Sequence, residues 1–377
     1  MSTQKRTVLI LNHSYKSPFK ELDIQYARIF NPAKYIVTIV YLTGKPSDKE
    51  TEALGDYDTI FLDLRKKDIR NLKLRAIREL RSLCHERRFS VAICHRYKPT
   101  YIMSWIARTY RIPFLISIMH DFRTLHRLSH KIFVYFLLRH QFVFAGVSDA
   151  IRDDIYRDGW GLQRDQVITL PNSIDVPETM RKQLDRYTAR KELNLSPEAF
   201  IIGTVGRLHS AKDHRTLINA MALAIECRPD LQLVIIGDGT LEDTLRRAIA
   251  NHRLEGRVVL AGFVPEASRL MRAFDLYVSS SRKEPFGLVL LEAMAADLPI
   301  IATAVDGVPQ VMGDCGRLVP PEDPVALAKA IEAYCLRSPE ELTALGRLSR
   351  RRLDDNFTTE KFHQAFWRYS TRQGLEP

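Results

Sequence analysis

Residues 275–292 read "DLYVSSSRKEPFGLVLLE", and this stretch decides the fold that the sequence predicts. The run "DLYVSSS" consists mostly of apolar and small residues, as in a buried strand, whereas residues 286–296 have the apolar spacing and composition of a good helix former. Pro285 suits a first helical turn, where an N–H would have no partner within the helix. The stretch therefore predicts a strand, a short loop and a helix.

Two glutamates, Glu284 and Glu292, lie eight residues apart, one on this loop and one in the helix. Helical rise separates them by roughly 12 Å. The amides of Phe286, Gly287 and Leu288 lie between them and form an anion site, because Gly287 lets a ligand approach the backbone. Two carboxylates on either side of a phosphate site match a nucleotide-sugar. A single glutamate in such a place is more often a helix cap or a solvated residue.

Short apolar runs alternate with helical patterns along the whole chain. Many are rich in Val and Ile without polar alternation, which is typical of parallel strands covered by helices on both faces. The predicted strands are "TVLIL", "YIVTIVYL", "TIFLDL", "SVAICH", "PFLISIMH", "FVFAGVS" and "VITLPNS" in the first half, and "FIIGTVGRL", "LQLVIIGDG", "RVVLAGFV", "LYVSSS", "PIIATAV" and "GRLVPP" in the second. Two such sets predict an α/β fold with two doubly wound, Rossmann-like domains facing a central cleft.

The length of 377 residues also favours two domains. We expect an N-terminal domain over residues 1–178 and a C-terminal domain over residues 198–356. Residues 179–197 are charged and lack strand character, so they predict a linker. Residues 357–377 predict a C-terminal helix with no strand after it.

The composition is that of a soluble globular protein, with 45% hydrophobic and 27% charged residues. No stretch is long and apolar enough to cross a membrane. The N-terminus reads as a first strand and not as a secretory signal. The five cysteines are scattered, without metal-like spacing, which favours a reduced, cytoplasmic location.

The net charge of +11 is unevenly distributed. Residues Arg65–Arg88 contain ten Lys or Arg and three acids. Such a helix suits an anionic membrane surface or a nucleic acid, and a solvated helix face explains it equally well. Residues 122–141, "FRTLHRLSHKIFVYFLLRHQ", mix basic and large apolar side chains, which suits either a membrane surface or a buried helix with charged ends. A peripheral position on the inner face of a membrane is therefore one expectation.

Ligands of doubly wound sheets bind at the carboxyl ends of the strands. Several polar or glycine residues follow predicted strands: His120, Asp121, Asn172, Gly206, Arg207, Lys212, Gly237, Asp238, Glu284 and Asp306. Arg207 and Lys212 together can neutralise a diphosphate, since arginine supplies a two-pronged donor and lysine a point charge. Asp56 and Asp58 form an Asp-x-Asp pair ahead of a strand, so we expect no metal site there.

Four segments occur in a specific order: "GTVGRLHSAKDHRTLI", "VIIGDGTLEDTLRRA", "VVLAGFV" and "SRKEPFGLVLLEAMAADLPIIAT". In this combination, over about residues 199–335, the chain resembles the retaining glycosyltransferases of family 4, the glycosyl transferases group 1, which have the GT-B fold. The resemblance implies a metal-independent transferase without a cofactor. It further implies a nucleotide-diphosphate-sugar donor, with a UDP-sugar favoured. The acceptor would be a glycan or a lipid-linked glycan such as lipopolysaccharide core.

The resemblance also implies roles for individual residues. Glu284 and His120 would contact the donor sugar, and the C-terminal helix would return to the first domain. The diphosphate would be bound by Arg207, Lys212 and the amides of Phe286, Gly287 and Leu288, the ribose by Glu292 and the base by Val264. Further cleft positions would be Gly206, Asn172 and Asp121. The family often has a Gly-Gly loop after its first strand. Here the loop is "NHSYKSP", so His13 and Lys16 are candidate replacements.

No buried carboxylate is placed as a nucleophile, which favours attack on the face from which the nucleoside diphosphate departs. Two other functions stay open on the sequence. One is another enzyme of the GT-B class, such as a nucleotide-sugar epimerase or a phosphorylase. The other is a non-enzymatic nucleic-acid-binding protein, although no recognisable nucleic-acid-binding module is present and we expect no nucleic-acid partner.

Overall fold

The structure is a computed structural model that describes residues 5–15, 20–46, 57–70, 72–138, 142–228 and 230–377. The chain divides into two compact units. Unit 1 comprises Met1–Pro171 and His363–Pro377, and unit 2 comprises Asn172–Phe362. Each unit contains one parallel sheet with helices, so the predicted α/β class with two Rossmann-like domains is confirmed.

The sheet of unit 1 has seven parallel strands in the order β3-β2-β1-β4-β5-β6-β7. The strands are β1 Arg6–Ser14, β2 Tyr35–Thr43, β3 Asp58–Phe61, β4 Val91–His95, β5 Phe114–Met119, β6 Val143–Gly146 and β7 Val167–Thr169. Each coincides with a predicted strand. The order reverses between β1 and β4, which is where ligands of doubly wound sheets bind.

The helices of unit 1 that precede unit 2 are α1 Lys20–Arg28, α2 Leu74–Arg87, α3 Tyr97–Ala107, α4 Leu128–Phe133 and α5 Asp149–Asp158. A π-helical turn over Val134–Leu138 continues α4. The sequence pattern placed a helix over 129–139, and the described part of that range is helical. Within the described ranges, no helix combines the length and the apolar composition that crossing a membrane requires.

The sheet of unit 2 has six parallel strands in the order β10-β9-β8-β11-β12-β13. The strands are β8 Phe200–Val205, β9 Leu231–Ile236, β10 Val258–Gly262, β11 Leu276–Ser279, β12 Ile300–Thr303 and β13 Arg317–Val319. All six were predicted. Here the order reverses between β8 and β11, so the loops after these two strands flank the expected ligand position.

The remaining helices are α6 Val176–Lys182, α7 Arg186–Glu192, α8 His214–Ala224, α9 Glu242–Asn251, α10 Leu288–Ala295, α11 Val308–Met312, α12 Pro324–Cys335, α13 Pro339–Asn356 and α14 Thr359–Ser370. Leu217 and Met221 of α8 pack with Leu327 and Ile331 of α12 in a fully buried core against the sheet. Removing these apolar surfaces from water is the main stabilisation of such a layer.

The sequence predicted a separate linker over residues 179–197, but the structure shows none there. These residues lie within unit 2, where they contribute the end of α6 and all of α7. Asp175 and Asp185 cap these two helices by accepting from backbone N–H groups of the first turn. Arg190 of α7 is 2% exposed and donates to Asp275 at 2.7 Å. The charge that suggested a solvated linker therefore forms a buried ion pair.

Unit 1 also includes residues from the C-terminal end of the chain. Residues His363–Pro377, which begin inside α14, cluster with unit 1. Phe366 is 1% exposed, and its ring lies 5.7 Å from that of Phe30 and 6.5 Å from that of Phe114. The last residues also bind unit 1, since Tyr35 donates to the carbonyl of Glu376 at 2.5 Å. These contacts make the C-terminal segment part of the first sheet's apolar layer.

Candidate functional site

The loops after β8 and β11 hold each other at the reversal point of the second sheet. The Ser280 hydroxyl donates to the carbonyls of Lys212 and Asp213 at 3.1 and 3.0 Å. The Arg282 amide donates to the Ala211 carbonyl at 2.8 Å. The loop that carries Lys212 and the loop that carries Glu284 are therefore fixed to each other through backbone groups.

The structure brings Lys212 and Glu284 into direct contact. The Lys212 ammonium donates to the Glu284 carboxylate, with the two side chains 24% and 12% exposed. The Lys212 stem passes over Gly206, where an added Cβ would lie 3.4 Å from its Cδ and Cε. A cation and a carboxylate thus share one half-buried position, although they lie 72 residues apart in the sequence.

Asp306 fixes the backbone at Glu284. Its Oδ2 accepts from the Glu284 amide at 2.8 Å, and the next amide, that of Gly307, donates to the Glu284 carbonyl at 3.1 Å. Asp306 itself has φ of 49°, a left-handed conformation that Asp and Asn adopt more readily than most residues. The loop after β12 therefore fixes the backbone that carries the Glu284 side chain.

Helix α10 begins two residues later than predicted. Gly287 precedes its first residue and has φ of 94°, so neither Pro285 nor Phe286 belongs to the first helical turn. Phe286 is instead buried, with its ring 5.8 Å from that of Phe357. The positive φ favours glycine at this position, and an alanine Cβ there would lie 2.9 Å from Leu290 Cδ1. Leu288 provides the first amide of the helix.

Glu284 and Glu292 lie near the same buried phenol. Burial raises the pKa of Tyr277, and the charges of Glu292 and Glu284 raise it further. The Tyr277 hydroxyl lies 3.5 Å from the Val205 carbonyl oxygen at the end of β8. Both carboxylates are therefore grouped around the end of the same strand pair, on either side of the start of α10.

Glycines shape the rest of this edge. A Cβ at Gly237 would lie 2.1 Å from the Gly206 carbonyl oxygen, so the turns after β8 and β9 touch through their backbones. The Gly237 amide donates to the Gly262 carbonyl at 2.8 Å, which joins the end of β10 to them. Val264 lies two residues beyond Gly262 and is half-buried. Backbone contacts thus link the turns after β8, β9 and β10 along the carboxyl edge.

Three further residues of unit 2 have different surroundings: Arg207, Asn172 and His214. Arg207 is exposed at the end of β8. Asn172 is 4% exposed, and its Oδ1 has no hydrogen-bond partner among the residues that the structure describes. His214 at the start of α8 faces the backbone of Gly206 and Arg207, and burial with the nearby charge of Lys212 lowers its pKa to about 4. His214 is therefore a neutral support beneath the Gly206 turn.

Of the Asp-x-Asp pair, the structure describes Asp58, the first residue of β3. Asp56 is outside the described residues, and Asp58 accepts from Arg87 and Thr38, each at 3.1 Å. Over the ranges that the structure covers, no three His, Cys, Asp or Glu side chains gather as a metal site would require. The absence of a metal from the reaction remains a prediction.

Unit 1 has a cluster of neutral histidines at its own reversal point. His95 ends β4, and its Nδ1 lies 3.0 Å from Nε2 of His120, which follows β5. Burial lowers the pKa of His95 to about 3 and that of His120 well below its ordinary value. His13, at the end of β1, lies 3.3 Å from the Lys98 ammonium. Burial, then the charges of Lys98 and Arg96, lower its pKa to about 4.

The other two predicted site residues of unit 1 are Asp121 and Lys16. Asp121 is exposed and lies 3.9 Å from Arg96. Nε2 of His120 pairs with His95, because the register of β4 with β5 places the two strand ends side by side. The orientation of the His120 ring by Asp121 remains a prediction. Lys16 lies outside the described residues.

Sequence reasoning missed Asp23, Tyr41 and Asn12 in unit 1. Asp23 is 2% exposed and accepts from the Tyr41 hydroxyl at 2.8 Å. Burial raises its pKa to about 7, while hydrogen bonds from Tyr41 and Asn12 oppose the shift. It also missed the bracing roles of Asp306, Ser280 and His95. The signal available for Asp306 and His95 was their position at strand ends, but their partners depend on tertiary contacts.

The comparisons with known proteins agree on the second unit. Residues 185–352 match the family model described as glycosyl transferases group 1. The N-acetyl-alpha-D-glucosaminyl L-malate synthase of Bacillus anthracis is 33% identical over 196 residues, covering 51% of this chain and 50% of that protein. The lipopolysaccharide core biosynthesis mannosyltransferase LpsB of Rhizobium meliloti is 28% identical over 211 residues, covering 51% and 60%. The chain spans about half the length of the curated relatives it matches.

A solved structure extends the likeness to the whole chain. Anabaena Alr3699/HepE in complex with UDP has a TM-score of 0.80 at 19% identity, covering 98% of this chain and all of that chain. At this identity the likeness shows the fold. The chain therefore has the GT-B fold, and its residues 185–352 match the model of the glycosyl transferases group 1 family.

Proposed function

We propose that this protein transfers a sugar from a nucleotide-diphosphate donor to a hydroxyl of a glycan or glycolipid acceptor. The group 1 domain supports the reaction class. The UDP held by the Anabaena protein supports a UDP-sugar as donor, and the name of LpsB supports an acceptor such as lipopolysaccharide core. Retention at the anomeric carbon and independence of metal are part of this proposal.

The contact between Lys212 and Glu284 at the start of α10 is the observation that carries the proposal. A pyrophosphate beside Lys212 would meet the N-terminal amides of α10, which have no partner within the helix. A sugar on the same pyrophosphate would then lie at Glu284, whose carboxylate accepts from hydroxyl groups. Glu292, four residues inside the helix from Leu288, would receive the ribose. Arg207 would add the second cation.

The chemistry follows from the charge that develops on the leaving group. As the bond from the anomeric carbon to phosphate oxygen breaks, negative charge grows on the nucleoside diphosphate. Lys212, Arg207 and the α10 amides would stabilise that charge, and each preorganised donor of this kind lowers the barrier by a few kcal/mol. The acceptor oxygen attacks the face that the phosphate leaves, and its proton passes to the departing phosphate oxygen. The contact between His120 and the donor sugar that the family resemblance implies remains a prediction.

Donor turnover in Lys212→Ala and Glu284→Gln tests the proposal. Loss of one preorganised donor costs roughly 10²–10³ in kcat, so Lys212→Ala should lose that much while its UDP affinity falls. Glu284→Gln should lose turnover but keep UDP binding, because its role concerns the sugar. Lys329→Ala, an exposed lysine on α12, is the matched control and should behave as the parent.

Near-normal turnover in both site variants would contradict the assignment. The same assay without acceptor separates the reaction classes, because an epimerase would alter its donor under those conditions. The product formed with acceptor should keep the donor's anomeric configuration by nuclear magnetic resonance, and chelator should leave its rate of formation unchanged.

A further inference from the structure

Two buried histidines lie at the ends of neighbouring strands beside the reversal point of the first sheet. His95 is the last residue of β4 and pairs in register with Ile118 of β5, two residues before His120. The Arg96 amide donates to the Ile118 carbonyl at 2.8 Å and extends this pairing. His95 and His120 are 4% and 5% exposed. The backbone therefore holds the two rings next to each other in a space that solvent barely reaches.

The two rings meet edge to edge and nearly in one plane. Nδ1 of His95 lies 3.0 Å from Nε2 of His120, whereas the ring centroids are 5.3 Å apart and the ring planes differ by 20°. The centroid distance exceeds the nitrogen distance by about the width of one ring, so both nitrogens lie close to the line that joins the centroids. A hydrogen on either nitrogen points along that line, because a ring N–H lies in the plane of its ring. This is the geometry of a straight N–H···N hydrogen bond.

Only one of these two nitrogens carries the hydrogen. Burial and then the charge of Arg96 lower the pKa of His95 to about 3, and burial, His95 and Arg96 lower the pKa of His120 well below its ordinary value. Both rings are therefore neutral near pH 7. A neutral imidazole has one N–H donor and one bare nitrogen that accepts. Two arrangements of the pair remain, with the donor on His95 or on His120.

The far nitrogen of His95 favours one of them. Nε2 of His95 has no hydrogen-bond partner within the ranges that the structure describes. If His120 donated, this buried nitrogen would carry a hydrogen without an acceptor. If His95 donates, the same nitrogen is a bare acceptor, and buried acceptors without a full set of partners are less rare than buried N–H groups without one. The arrangement with His95 as donor therefore leaves the smaller penalty.

We propose that His95 is a positioning residue: its Nδ1–H donates to Nε2 of His120 and so fixes His120 as a hydrogen-bond donor at Nδ1. The same bond keeps the His120 ring from turning over, since a turned ring would place a carbon against the His95 donor. Under the proposed function, His120 would offer this hydrogen to an oxygen of the donor sugar. Because the ring is neutral, it would add no positive charge beside the anomeric carbon, where positive charge develops as a glycosidic bond breaks.

Two substitutions at His95 separate positioning from packing. His95→Phe keeps a ring against Tyr26, whose centroid lies 4.7 Å away, but has no donor for His120. His95→Asn places an amide nitrogen close to the position of Nδ1, so it keeps a donor but leaves part of the space empty. Positioning predicts that kcat for turnover of a UDP-sugar falls about tenfold to a hundredfold in His95→Phe. In His95→Asn, kcat should stay close to that of the parent, and KM for the donor should change little in both.

Packing alone predicts the reverse order, because the smaller asparagine loses more contact with its neighbours than phenylalanine does. His85→Asn, at an exposed histidine of α2, is the matched control and should behave as the parent. Chemical denaturation of each variant checks that it is folded under the conditions of the assay.

Nitrogen-15 nuclear magnetic resonance of the histidine rings measures the tautomers directly. The signals of His120 and His95 are assigned by their loss in His120→Gln and His95→Asn. In the parent protein without donor, both rings should carry their hydrogen on Nδ1, and Nε2 of His120 should be bare. This pattern of His120 should be kept in His95→Asn, and in His95→Phe it should change to a mixture of both tautomers.

A hydrogen on Nε2 of His120 in the parent protein would overturn the proposal, and so would a kcat in His95→Phe equal to that of the parent. The spectra of the parent decide the matter even if His95→Phe fails to fold. The role toward the donor sugar rests on the proposed function, whereas the hydrogen bond between the rings does not. If the parent turns over no donor, the proposed function fails, and the ring spectra still show which histidine donates.

Discussion

Residues from the loops after other strands contact the side chain, the amide and the carbonyl of Glu284. Its carboxylate meets Lys212, its amide donates to Asp306, and its carbonyl accepts from Gly307. Side chains that must bind a sugar in one orientation need this kind of support, because a small displacement weakens every transition-state contact. The sequence could indicate Glu284 and Lys212 as candidates. It could not indicate Asp306 as their support, since that contact spans 22 residues and two strands.

At the residue scale, Asp23 gives a prediction for stability against pH. Its pKa is about 7 in the folded protein, whereas the ordinary pKa of an aspartate is 3.8, so the folded protein binds more protons between those two values. The contribution of Asp23 to stability therefore falls as pH rises through this window. Asp23→Asn removes the effect. Relative to the parent, its free energy of unfolding should rise by on the order of 3 kcal/mol between pH 5 and pH 8.

Chemical denaturation of both proteins at each pH, followed by a probe in unit 1, measures this difference. The depressed pKa values of His13 and His95 act with the opposite sign between pH 6.5 and about 4. They are present in both proteins and cancel from the comparison. A difference that stays constant from pH 5 to pH 8 would show that Asp23 is ionised throughout.

At the element scale, the strands were predicted, whereas the start of α10 was misplaced and two helices were missed. All thirteen strands were visible because buried parallel strands such as β8 and β9 are nearly continuous apolar runs. The start of α10 was misplaced because Pro285 and Phe286 suit a first turn, whereas in the structure Gly287 has a positive φ and Phe286 packs against Phe357, a tertiary contact. Helices α6 and α7 were missed although Asp175 and Asp185 are typical capping residues.

The loop between β12 and α11 gives a prediction at this scale. Asp306→Ala removes the acceptor for the Glu284 amide and places alanine at a positive φ. Turnover should fall about tenfold to a hundredfold through a misplaced Glu284. Asp306→Asn keeps an acceptor oxygen and tolerates the same φ, so it should retain most activity. Steady-state kinetics of the two variants check this, and equal losses in both would argue that the charge of Asp306 matters and not its geometry.

At the scale of the whole molecule, the division into two units follows from where apolar surface is buried. Each sheet has its own core, and the C-terminal residues join the first. The sequence indicated two sets of strands, and the family resemblance implied the return of the last helix. The boundary after Pro171 could not be predicted from the sequence. The charge of residues such as Arg190 suggested an exposed linker, whereas the Arg190 side chain is buried against Asp275.

Phe366→Ala tests the place of the C-terminal segment. Removing a ring that is 1% exposed should cost unit 1 roughly 3–5 kcal/mol, because a cavity remains beside Phe30 and Phe114. Hydrogen exchange should accelerate in β1 and β4 and stay unchanged in β8 and β11. Leu336→Ala, at an exposed position of unit 2, is the control. Faster exchange confined to unit 2 would contradict this, because it would show that Phe366 packs in the core of unit 2 and not in that of unit 1.

We propose that a nucleoside diphosphate binds at the start of α10 between two carboxylates, and a crystal structure of the protein with UDP tests this. We expect phosphate oxygens within hydrogen-bond distance of the Lys212 ammonium and the Leu288 amide, with the ribose hydroxyls at Glu292. A diphosphate bound away from Lys212 and α10, in a crystal whose protein turns over donor, would contradict it.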